Sequence, residues 1–312
     1  MRVAILGAGS LGSVFGGQLA LTGNEVHLVG RKAHMDAIRG HGLTLVYPDG
    51  SDKQVDLSVH EDADDLGIMD LVVVLCKSYD TEAVLREALG AVGVETTVMS
   101  LQNGLGAEDV LVDLVGPEHV IAGKTYVGGM LLEPGKVQAT VGGKATIIGE
   151  MDGSVTPRVM QIAQAFNEAG LETSVSDDVM RVVWGKLLIN VATGAVCGIT
   201  GLPYGDMYQD SKLVTLAIDA IEEAMAVAAS MGIDLSDRTP EDVLKLAREN
   251  LPASFKPSIL QSLEKRRHTE IDAINGSVVR LGERQGVPTP VNRALVALIG
   301  GIERRIDTYD LA

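Results

Sequence analysis

The sequence predicts an α/β fold, in which a doubly wound, mainly parallel sheet at the N-terminus is followed by a mostly α-helical C-terminal domain. Short, nearly continuous apolar runs alternate with helical segments in the first half of the chain, as in βαβ units covered by helices on both faces. Helical periodicity dominates after residue 177. The 312 residues exceed what one hydrophobic core normally holds, so two domains are expected, 1–177 and 178–312.

The elements of the first domain follow from this alternation. The predicted strands are the β-branched apolar runs at 2–6, 25–29, 70–76 and 96–101. The predicted helices between them are 10–21, 33–40, 80–89 and 106–115. The stretches 43–60 and 120–150 carry Gly and Pro-Gly between alternating segments, a pattern that predicts antiparallel strands appended to the sheet or extending it.

After Pro157 the pattern is helical, apart from a brief strand predicted near 172–175. Capping residues precede the apolar periodicity of the second domain and predict where its helices begin: Asp178, Asp210, Thr239 and Thr269. Prolines mark the breaks between or beside these helices: Pro203, Pro252, Pro257 and Pro288.

Composition narrows the functional classes. The net charge of −16 argues against binding along a nucleic-acid backbone, which requires clustered Lys and Arg. Hydrophobic residues make up 46% of the chain and charged residues 22%, as in ordinary globular proteins. An anionic substrate would therefore need a local cluster of positive or hydrogen-bonding groups.

The two cysteines, Cys76 and Cys197, lie far apart among apolar neighbours, so no metal site or redox pair is expected. They are interpreted as buried structural thiols. The N-terminal sequence MRVAILGAGSLG runs directly into a strand and a turn and does not resemble a signal peptide. No run approaches the roughly 20 apolar residues of a membrane span, so no membrane association is expected. The two unpaired cysteines fit a reducing cytoplasm, which is the expected location.

A glycine-rich turn follows the first strand and opens the first helix. It consists of Gly7, Ala8, Gly9, Ser10, Leu11 and Gly12. In this context the first glycine permits the tight turn, the second lets the backbone approach a pyrophosphate, and the third lets the helix lie close to the strand. The helix N-terminus would face the anion. The pattern is typical of a Rossmann-type dinucleotide-binding domain, although a glycine turn without a ligand is the simpler alternative.

The residues after the second strand favour NADP over NAD. An NAD site usually ends this strand with Asp or Glu, whereas here Gly30 is followed by Arg31 and Lys32. A guanidinium suits bidentate binding of the additional phosphate, and Lys32 supplies a nearby ammonium. Two solvated surface cations are the alternative interpretation.

Two polar residues follow strands at the carboxyl edge of the predicted sheet, where open α/β sheets bind their ligands. Lys77 follows DLVVVLC, and Asn103 lies in SLQNG after the next strand. Both are candidate cofactor-binding residues. Ordinary loop chemistry is the alternative, because Asn-Gly favours turns and a terminal Lys favours water.

The segment VWGKLLINV places Lys186 and Asn190 four residues apart, on one face of a helix. Apolar neighbours surround Lys186, and partial burial lowers the proton affinity of an ammonium. Reduction of a ketone generates an alkoxide, which needs a poised proton donor and a positive charge. Lys186 is therefore a candidate general acid, with a lysine that reaches past an apolar surface to water as the alternative.

Two further residues are candidates for substrate binding. Thr269-Glu270-Ile271-Asp272 has the arrangement of a capping box, which predicts Glu270 in the first turn of a helix. Its carboxylate would bind a substrate hydroxyl, orient Lys186, or simply compensate the helix dipole. Ser258 follows Pro257 near a predicted helix start, where a hydroxyl can cap the helix or hold a carboxylate.

Taken together, these segments resemble the ketopantoate reductase family, the 2-dehydropantoate 2-reductases of pantothenate biosynthesis. The resemblance spans essentially the whole chain and rests on GAGSLGSVFGGQL, Arg31, the Lys77 region, LQNG, WGKLLIN and SILQSLEKRRHTEIDAINGSVVRLGERQGVPTPVN. It implies an NADPH-dependent reductase acting on a small anionic 2-oxo acid, and it allows a homodimer. By resemblance, Lys186 is the catalytic general acid, Asn103 contacts nicotinamide and the reacting carbonyl, Asn190 and Ser258 bind substrate, and Glu270 anchors the substrate hydroxyl.

The chain departs from the family pattern at two positions. Gly194 stands where many members carry a further Asn, and Ser262 replaces an acidic residue that is frequent there. By the resemblance, a substrate contact would be missing at these positions. This expectation keeps open the hypothesis of a reductase for another branched or bulky 2-oxo acid. A β-hydroxyacid dehydrogenase is a further hypothesis, which TEID and Ser258 disfavour. A non-catalytic NADPH sensor is the last, and it would need neither Lys186 nor Glu270.

Overall fold

The computed structural model describes residues 1–309. Two compact units make up this part of the chain. The first consists of Met1–Gln102 and Ala107–Val179, and the second consists of Asn103–Gly106 and the chain from Met180 onward. The short segment 103–106 thus belongs to the second unit, although its sequence neighbours on both sides belong to the first.

An eight-stranded sheet forms the centre of the first unit. Its strands, in spatial order, are β12 (Thr173–Val175), β11 (Thr146–Glu150), β8 (Val120–Thr125), β7 (Thr97–Ser100), β6 (Leu71–Val74), β1 (Arg2–Leu6), β2 (Glu25–Val29) and β5 (Ser58–His60). All neighbouring pairs are parallel except β11 and β8. The central strands are almost completely buried, which explains their uninterrupted apolar sequence.

A second, four-stranded sheet has the order β4 (Asp52–Val55), β3 (Leu43–Val46), β10 (Lys136–Thr140) and β9 (Gly128–Glu133). The prediction of antiparallel strands is correct for β3 with β4 and for β9 with β10. It is also correct for β8 with β11, an antiparallel pair that extends the main sheet. It is wrong for β5, which pairs in parallel with β2 of the main sheet. The sequence of a short alternating segment such as β5 does not show whether it joins the main sheet or the four-stranded sheet, because the same alternation fits a half-covered position in either sheet.

The helices of the first unit are α1 (Ser10–Ala20), α2 (Lys32–His41), α3 (Thr81–Glu87), α4 (Ala107–Val115) and α5 (Pro157–Glu168). Two apolar clusters lie on the two faces of the sheet, one beneath α1 and α5 and the other beneath α3 and α4. The predicted doubly wound, Rossmann-type arrangement is therefore confirmed.

The described part of the second unit is helical. Its helices are α6 (Val179–Thr200), α7 (Tyr204–Met207), α8 (Ser211–Ser230), α9 (Pro240–Asn250), α10 (Ser258–Glu264), α11 (Asn275–Gln285) and α12 (Pro290–Tyr309). They enclose one apolar cluster around α6. The predicted start at Asp210 is confirmed by its side chain, which accepts the Lys212 N–H at 2.9 Å, and the start at Thr239 by a capping box with Asp242.

The helix predicted to begin at Thr269 begins instead at Asn275, after a series of turns. The Thr269 N–H donates to the Glu303 carboxylate at 2.6 Å, and the Thr269 hydroxyl accepts from the Ile271 N–H at 3.2 Å. The expected capping box does not form, because α12 supplies the partner for Thr269. Glu270 therefore lies in a turn and not in the first turn of a helix.

Helix α6 is the longest helix among the described residues and is rich in apolar side chains. By length and composition it could cross a membrane, in contrast to the expectation that no segment approaches such a span. However, 67% of its most apolar stretch is buried inside the protein, as is typical for the core helix of a globular unit.

Candidate active site

The glycine turn after β1 has the conformation that the fingerprint requires. Gly7 has φ of +100°, and a Cβ at this position would lie 2.2 Å from the backbone nitrogen of Cys76. A Cβ on Gly12 would lie 2.4 Å from the Gly7 carbonyl oxygen. Both positions therefore exclude any side chain, the first for the turn and the second for close packing of α1.

Gly9 differs from its neighbours, because a Cβ there would meet no atom within 4 Å. The protein itself does not require glycine at this position, so the open space is available for a ligand that approaches the backbone. The N-terminus of α1 lies next to this space and carries no acidic residue in its first turn. These features fit the pyrophosphate of a dinucleotide.

The other residues of the turn hold it in place. The N–H groups of Gly7 and Ala8 both donate to the Val29 carbonyl, at 3.0 and 2.8 Å, which ties the turn to the end of β2. The Ser10 hydroxyl accepts the Leu131 N–H of β9 at 3.2 Å, and Leu11 packs against the apolar cluster beneath α1.

The two cations after β2 have different environments. Arg31 is exposed, precedes α2, and makes no ion pair or side-chain hydrogen bond with any residue in 1–309. Lys32 lies 3.1 Å from Asp36 and 3.2 Å from Glu61, and these carboxylates hold the pKa of its ammonium above the usual range. The nearby ammonium of the prediction is thus paired with two carboxylates, whereas Arg31 has no carboxylate partner among the described residues.

At the carboxyl edge of the sheet, Lys77 follows β6 and is half-buried. Gln102, immediately before Asn103, is buried and donates through its side-chain amide to the carbonyl of Cys76 at 2.8 Å. Sequence reasoning missed Gln102, although it lies inside the LQNG segment. Asn103 itself is half-buried and has no hydrogen-bond partner among the described residues.

Within the second unit, the segment Asn103–Gly106 is attached to the turns that carry Glu270. The Leu105 N–H donates to the Ala273 carbonyl at 2.9 Å. Gly104 has φ of +92°, and a Cβ there would lie 2.2 Å from the same carbonyl oxygen. Asn103 and Glu270 are thus held on two segments in direct contact, and Glu270 is only 8% exposed.

Helix α6 presents the predicted catalytic lysine. Lys186 and Asn190 are both half-buried and lie one turn apart, while Trp184, Leu187 and Leu188 are buried in the core. Lys186 is therefore held at the border of an apolar cluster, as the sequence pattern predicts.

The same face of α6 continues with Gly194 and Gly198, four and eight residues beyond Asn190. A Cβ at these glycines would lie 3.0 and 2.7 Å from side-chain atoms of Ile259. Ile259 fills the space that a side chain at 194 would occupy, and it directly follows the exposed Ser258 at the start of α10. The contact between Gly194 and Ile259 is a feature that the sequence did not reveal.

Comparison with known proteins gives a consistent result along the whole chain. Residues 3–153 match the family "Ketopantoate reductase PanE/ApbA", and residues 178–303 match its C-terminal counterpart. The chain is 35% identical to the 2-dehydropantoate 2-reductase of Halobacterium salinarum, over 96% of this chain and 98% of that protein. It is 32% identical to the enzyme of the same name from Pyrococcus horikoshii, over 96% of each chain.

Solved structures add two informative neighbours. A PanE/ApbA family ketopantoate reductase from Ralstonia eutropha superposes with a TM-score of 0.88 at 34% identity, over 98% of this chain and 100% of that one. D-mandelate dehydrogenase, in a ternary structure with NADH and anilino(oxo)acetate, superposes with a TM-score of 0.91 at 27% identity, over 99% and 100%.

Both halves of the sequence match the family, and full-length relatives exceed 30% identity. The fold is the one shared with solved members, and the glycine turn has the geometry of a nucleotide-binding loop. The chain therefore belongs to the ketopantoate reductase PanE/ApbA family and is an oxidoreductase with a Rossmann-type dinucleotide-binding domain.

Proposed function

We propose that the protein reduces 2-dehydropantoate to pantoate with NADPH, a step of pantothenate biosynthesis in the cytoplasm. The observation that carries this proposal is the half-buried Lys186, one turn before Asn190 on α6, in a unit that also holds Asn103 against the Glu270 turns. This combination supplies an ammonium, amides and a carboxylate, which are the groups needed to bind and protonate a hydroxylated 2-oxo acid.

NADPH, when bound, supplies the hydride to the keto carbon. Lys186 then donates a hydrogen bond to the keto oxygen, stabilises the negative charge that develops on it, and gives up the proton that completes the hydroxyl. Asn103 contacts the nicotinamide side and the carbonyl, Asn190 and Ser258 bind the substrate, and Glu270 accepts a hydrogen bond from the substrate hydroxyl. Gly7, Ala8, Gly9, Ser10, Leu11 and Gly12 hold the pyrophosphate, with Lys77 closer to the nicotinamide.

The preference for NADPH rests on Arg31. Its guanidinium is exposed and free of carboxylate partners within the described chain, and no acidic residue ends β2. These properties favour a phosphate on the ribose over a free hydroxyl pair. The D-mandelate dehydrogenase neighbour was solved with NADH, so the preference within this fold depends on local residues such as this one.

A second candidate is the reduction of another 2-oxo acid with a bulkier, apolar substituent. It is favoured by Ile259, which covers Gly194 where a further amide would otherwise contact the substrate. The neighbour solved with anilino(oxo)acetate agrees with this candidate.

The deciding experiment follows the absorbance of the reduced nicotinamide with 2-dehydropantoate and with a panel of branched and aryl 2-oxo acids. Each acid is tested with NADPH and NADH at equal concentration. Fast, NADPH-selective turnover of 2-dehydropantoate supports the first candidate. Turnover restricted to an apolar 2-oxo acid supports the second candidate, with the same mechanism and a different substrate. Absence of turnover with every acid rejects both candidates.

A further inference from the structure

A buried polar network lies at the carboxyl ends of β6 and β7, centred on Gln102. The Gln102 side-chain amide donates to the Cys76 carbonyl at 2.8 Å and to the Thr81 hydroxyl at 2.9 Å. Its side-chain oxygen accepts from the Ser100 hydroxyl at 3.0 Å. With Gln102 only 5% exposed and Thr81 and Ser100 1% exposed, water does not compete for these bonds.

The backbone of Gln102 is fixed as well. Its N–H donates to the Ser100 hydroxyl at 3.1 Å, and its carbonyl accepts a hydrogen bond from the ammonium of Lys124 on β8. Lys124 is 1% exposed, which is exceptional for lysine. A buried ammonium bound to a peptide carbonyl orients that peptide strongly, because the bond is charge-assisted and lies in a low-dielectric environment.

A buried carboxylate accompanies this ammonium. Glu108, near the start of α4, is 3% exposed. Burial raises the pKa of its carboxyl, and the nearby positive charge of Lys124 opposes that increase. The two buried groups are therefore close enough for their charges to interact.

The network also reaches the glycine turn. The space beside Gly7 is closed by the backbone of Cys76, whose carbonyl accepts the Gln102 amide. One residue after Cys76 is Lys77, and one residue after Gln102 is Asn103. Lys77 therefore follows the Cys76 carbonyl, which the Gln102 amide binds, and Asn103 follows the Gln102 carbonyl, which Lys124 binds.

We propose that Gln102 and Lys124 are positioning residues, which set the backbone from which Lys77 and Asn103 project toward nicotinamide and substrate. This inference rests on the proposed function. Gln102 fixes the Cys76 carbonyl through its side chain, and Lys124 fixes the Gln102 carbonyl through its ammonium. The Lys124 bond also polarises the peptide between Gln102 and Asn103, which makes the Asn103 N–H a stronger donor.

The test uses the full-length Gln102→Met variant, which keeps the side-chain length and removes the amide. Turnover with the preferred 2-oxo acid is expected to fall about 10- to 100-fold, because a displacement of about 1 Å costs on that order. The dissociation constant of NADPH, measured by nicotinamide fluorescence, should rise no more than about threefold, since the interactions lost act mainly in the transition state. The emission maximum of bound NADPH should shift, because the groups around the nicotinamide move.

A double variant, Lys124→Met with Glu108→Gln, removes the carbonyl contact without leaving a buried carboxylate unpaired. It should show the same separation between turnover and NADPH affinity. Gln285→Met, at an exposed position at the end of α11, is the matched control and should behave as wild type. If Gln102→Met does not fold, the nearly isosteric Thr81→Val variant removes one partner of the same amide and should show a smaller loss of the same kind.

Wild-type turnover in folded Gln102→Met, or in Thr81→Val where that replaces it, would overturn the inference. A loss of NADPH affinity as large as the loss of turnover would also overturn the inference. If the wild-type protein binds NADPH but reduces no 2-oxo acid, the proposed function fails. The positioning role of Gln102 and Lys124 is then tested by the emission maximum of bound NADPH alone. An emission maximum that is unchanged in the variants overturns the positioning role, whereas a shifted maximum at unchanged NADPH affinity supports it.

Discussion

The backbone N–H of Gly135 donates to Nδ1 of His34 at 2.9 Å, in the turn between β9 and β10. Because Nδ1 accepts, Nε2 carries the proton and donates to the buried Ser13 hydroxyl at 2.9 Å. A neutral His34 therefore joins α1, α2 and the β9–β10 turn. Protonation at Nδ1 would break the bond to Gly135.

Stability should accordingly depend on pH through His34. Burial lowers the pKa of His34 below its ordinary value of 6.5, so the unfolded chain binds the proton more readily than the folded protein. The stabilising effect is complete above about pH 6.5 and decreases as the pH falls toward the lowered folded pKa, by at most about 1.4 kcal/mol per pH unit. Urea unfolding of wild type and His34→Gln, at a series of pH values from about 6.5 downward, measures how the free energy of unfolding of each protein depends on pH.

The His34→Gln comparison is needed because burial and the His27 charge also lower the pKa of His60, which contributes with the same sign. His41→Gln, at an exposed position, is the control and should retain the wild-type pH dependence. If the free energy of unfolding changed with pH equally in wild type and His34→Gln, His34 would be excluded as the source of the pH dependence.

Lys186→Ala should lower turnover by ~100-fold to 10,000-fold, the usual range for loss of a general acid. NADPH binding should persist, because the glycine turn and Arg31 lie in the other unit. Steady-state kinetics and nicotinamide fluorescence measure the two quantities. Lys212→Ala, at an exposed position on α8, serves as the control. Undiminished turnover in Lys186→Ala would remove Lys186 from the mechanism.

Arg31→Ala should weaken NADPH far more than NADH, because only NADPH carries the phosphate that a guanidinium binds in bidentate fashion. Lys32→Ala removes the same charge one residue later, but its ammonium is already bound by Asp36 and Glu61. The ratio of NADPH to NADH affinity should therefore change in the first variant and stay near the wild-type value in the second. Equal weakening of both cofactors by Arg31→Ala would defeat the assignment.

Gly104→Ala and Gly106→Ala separate strain from steric contact in the segment before α4. Both glycines have positive φ, +92° and +97°, but only a Cβ at 104 meets another atom, the Ala273 carbonyl oxygen at 2.2 Å. Gly106→Ala should cost about 1–2 kcal/mol from the backbone alone. Gly104→Ala should cost clearly more and also reduce turnover, because the Leu105 bond that holds Asn103 near the Glu270 turns is lost. Urea unfolding and kinetics test both variants, and equal effects would contradict the packing argument.

The sequence predicted the features that depend on local pattern. Buried parallel strands, the glycine turn and the caps at Asp210 and Thr239 are all encoded within a few residues, and the structure confirms them. The failures involve distant partners. Thr269 resembles a capping residue, but Glu303, 34 residues away, binds its N–H.

The candidate site follows the same rule. The face shared by Lys186 and Asn190 could be derived from helical spacing. The pairing of Lys32 with Glu61 and the contact of Lys124 with Gln102 join residues 29 and 22 positions apart, and no local pattern indicates them. Ile259 over Gly194 likewise depends on how α10 packs on α6.

The position of Leu105 limits how the protein can be divided. Leu105 is 7% exposed within the apolar cluster of the helical unit, yet it is encoded more than 70 residues before the rest of that unit. A fragment beginning at residue 178 would lack this side chain and leave the Ala273 carbonyl without its donor. Chimeras that exchange the C-terminal half with a relative must therefore transfer 103–106 as well, because the helical unit is complete only with this distant segment.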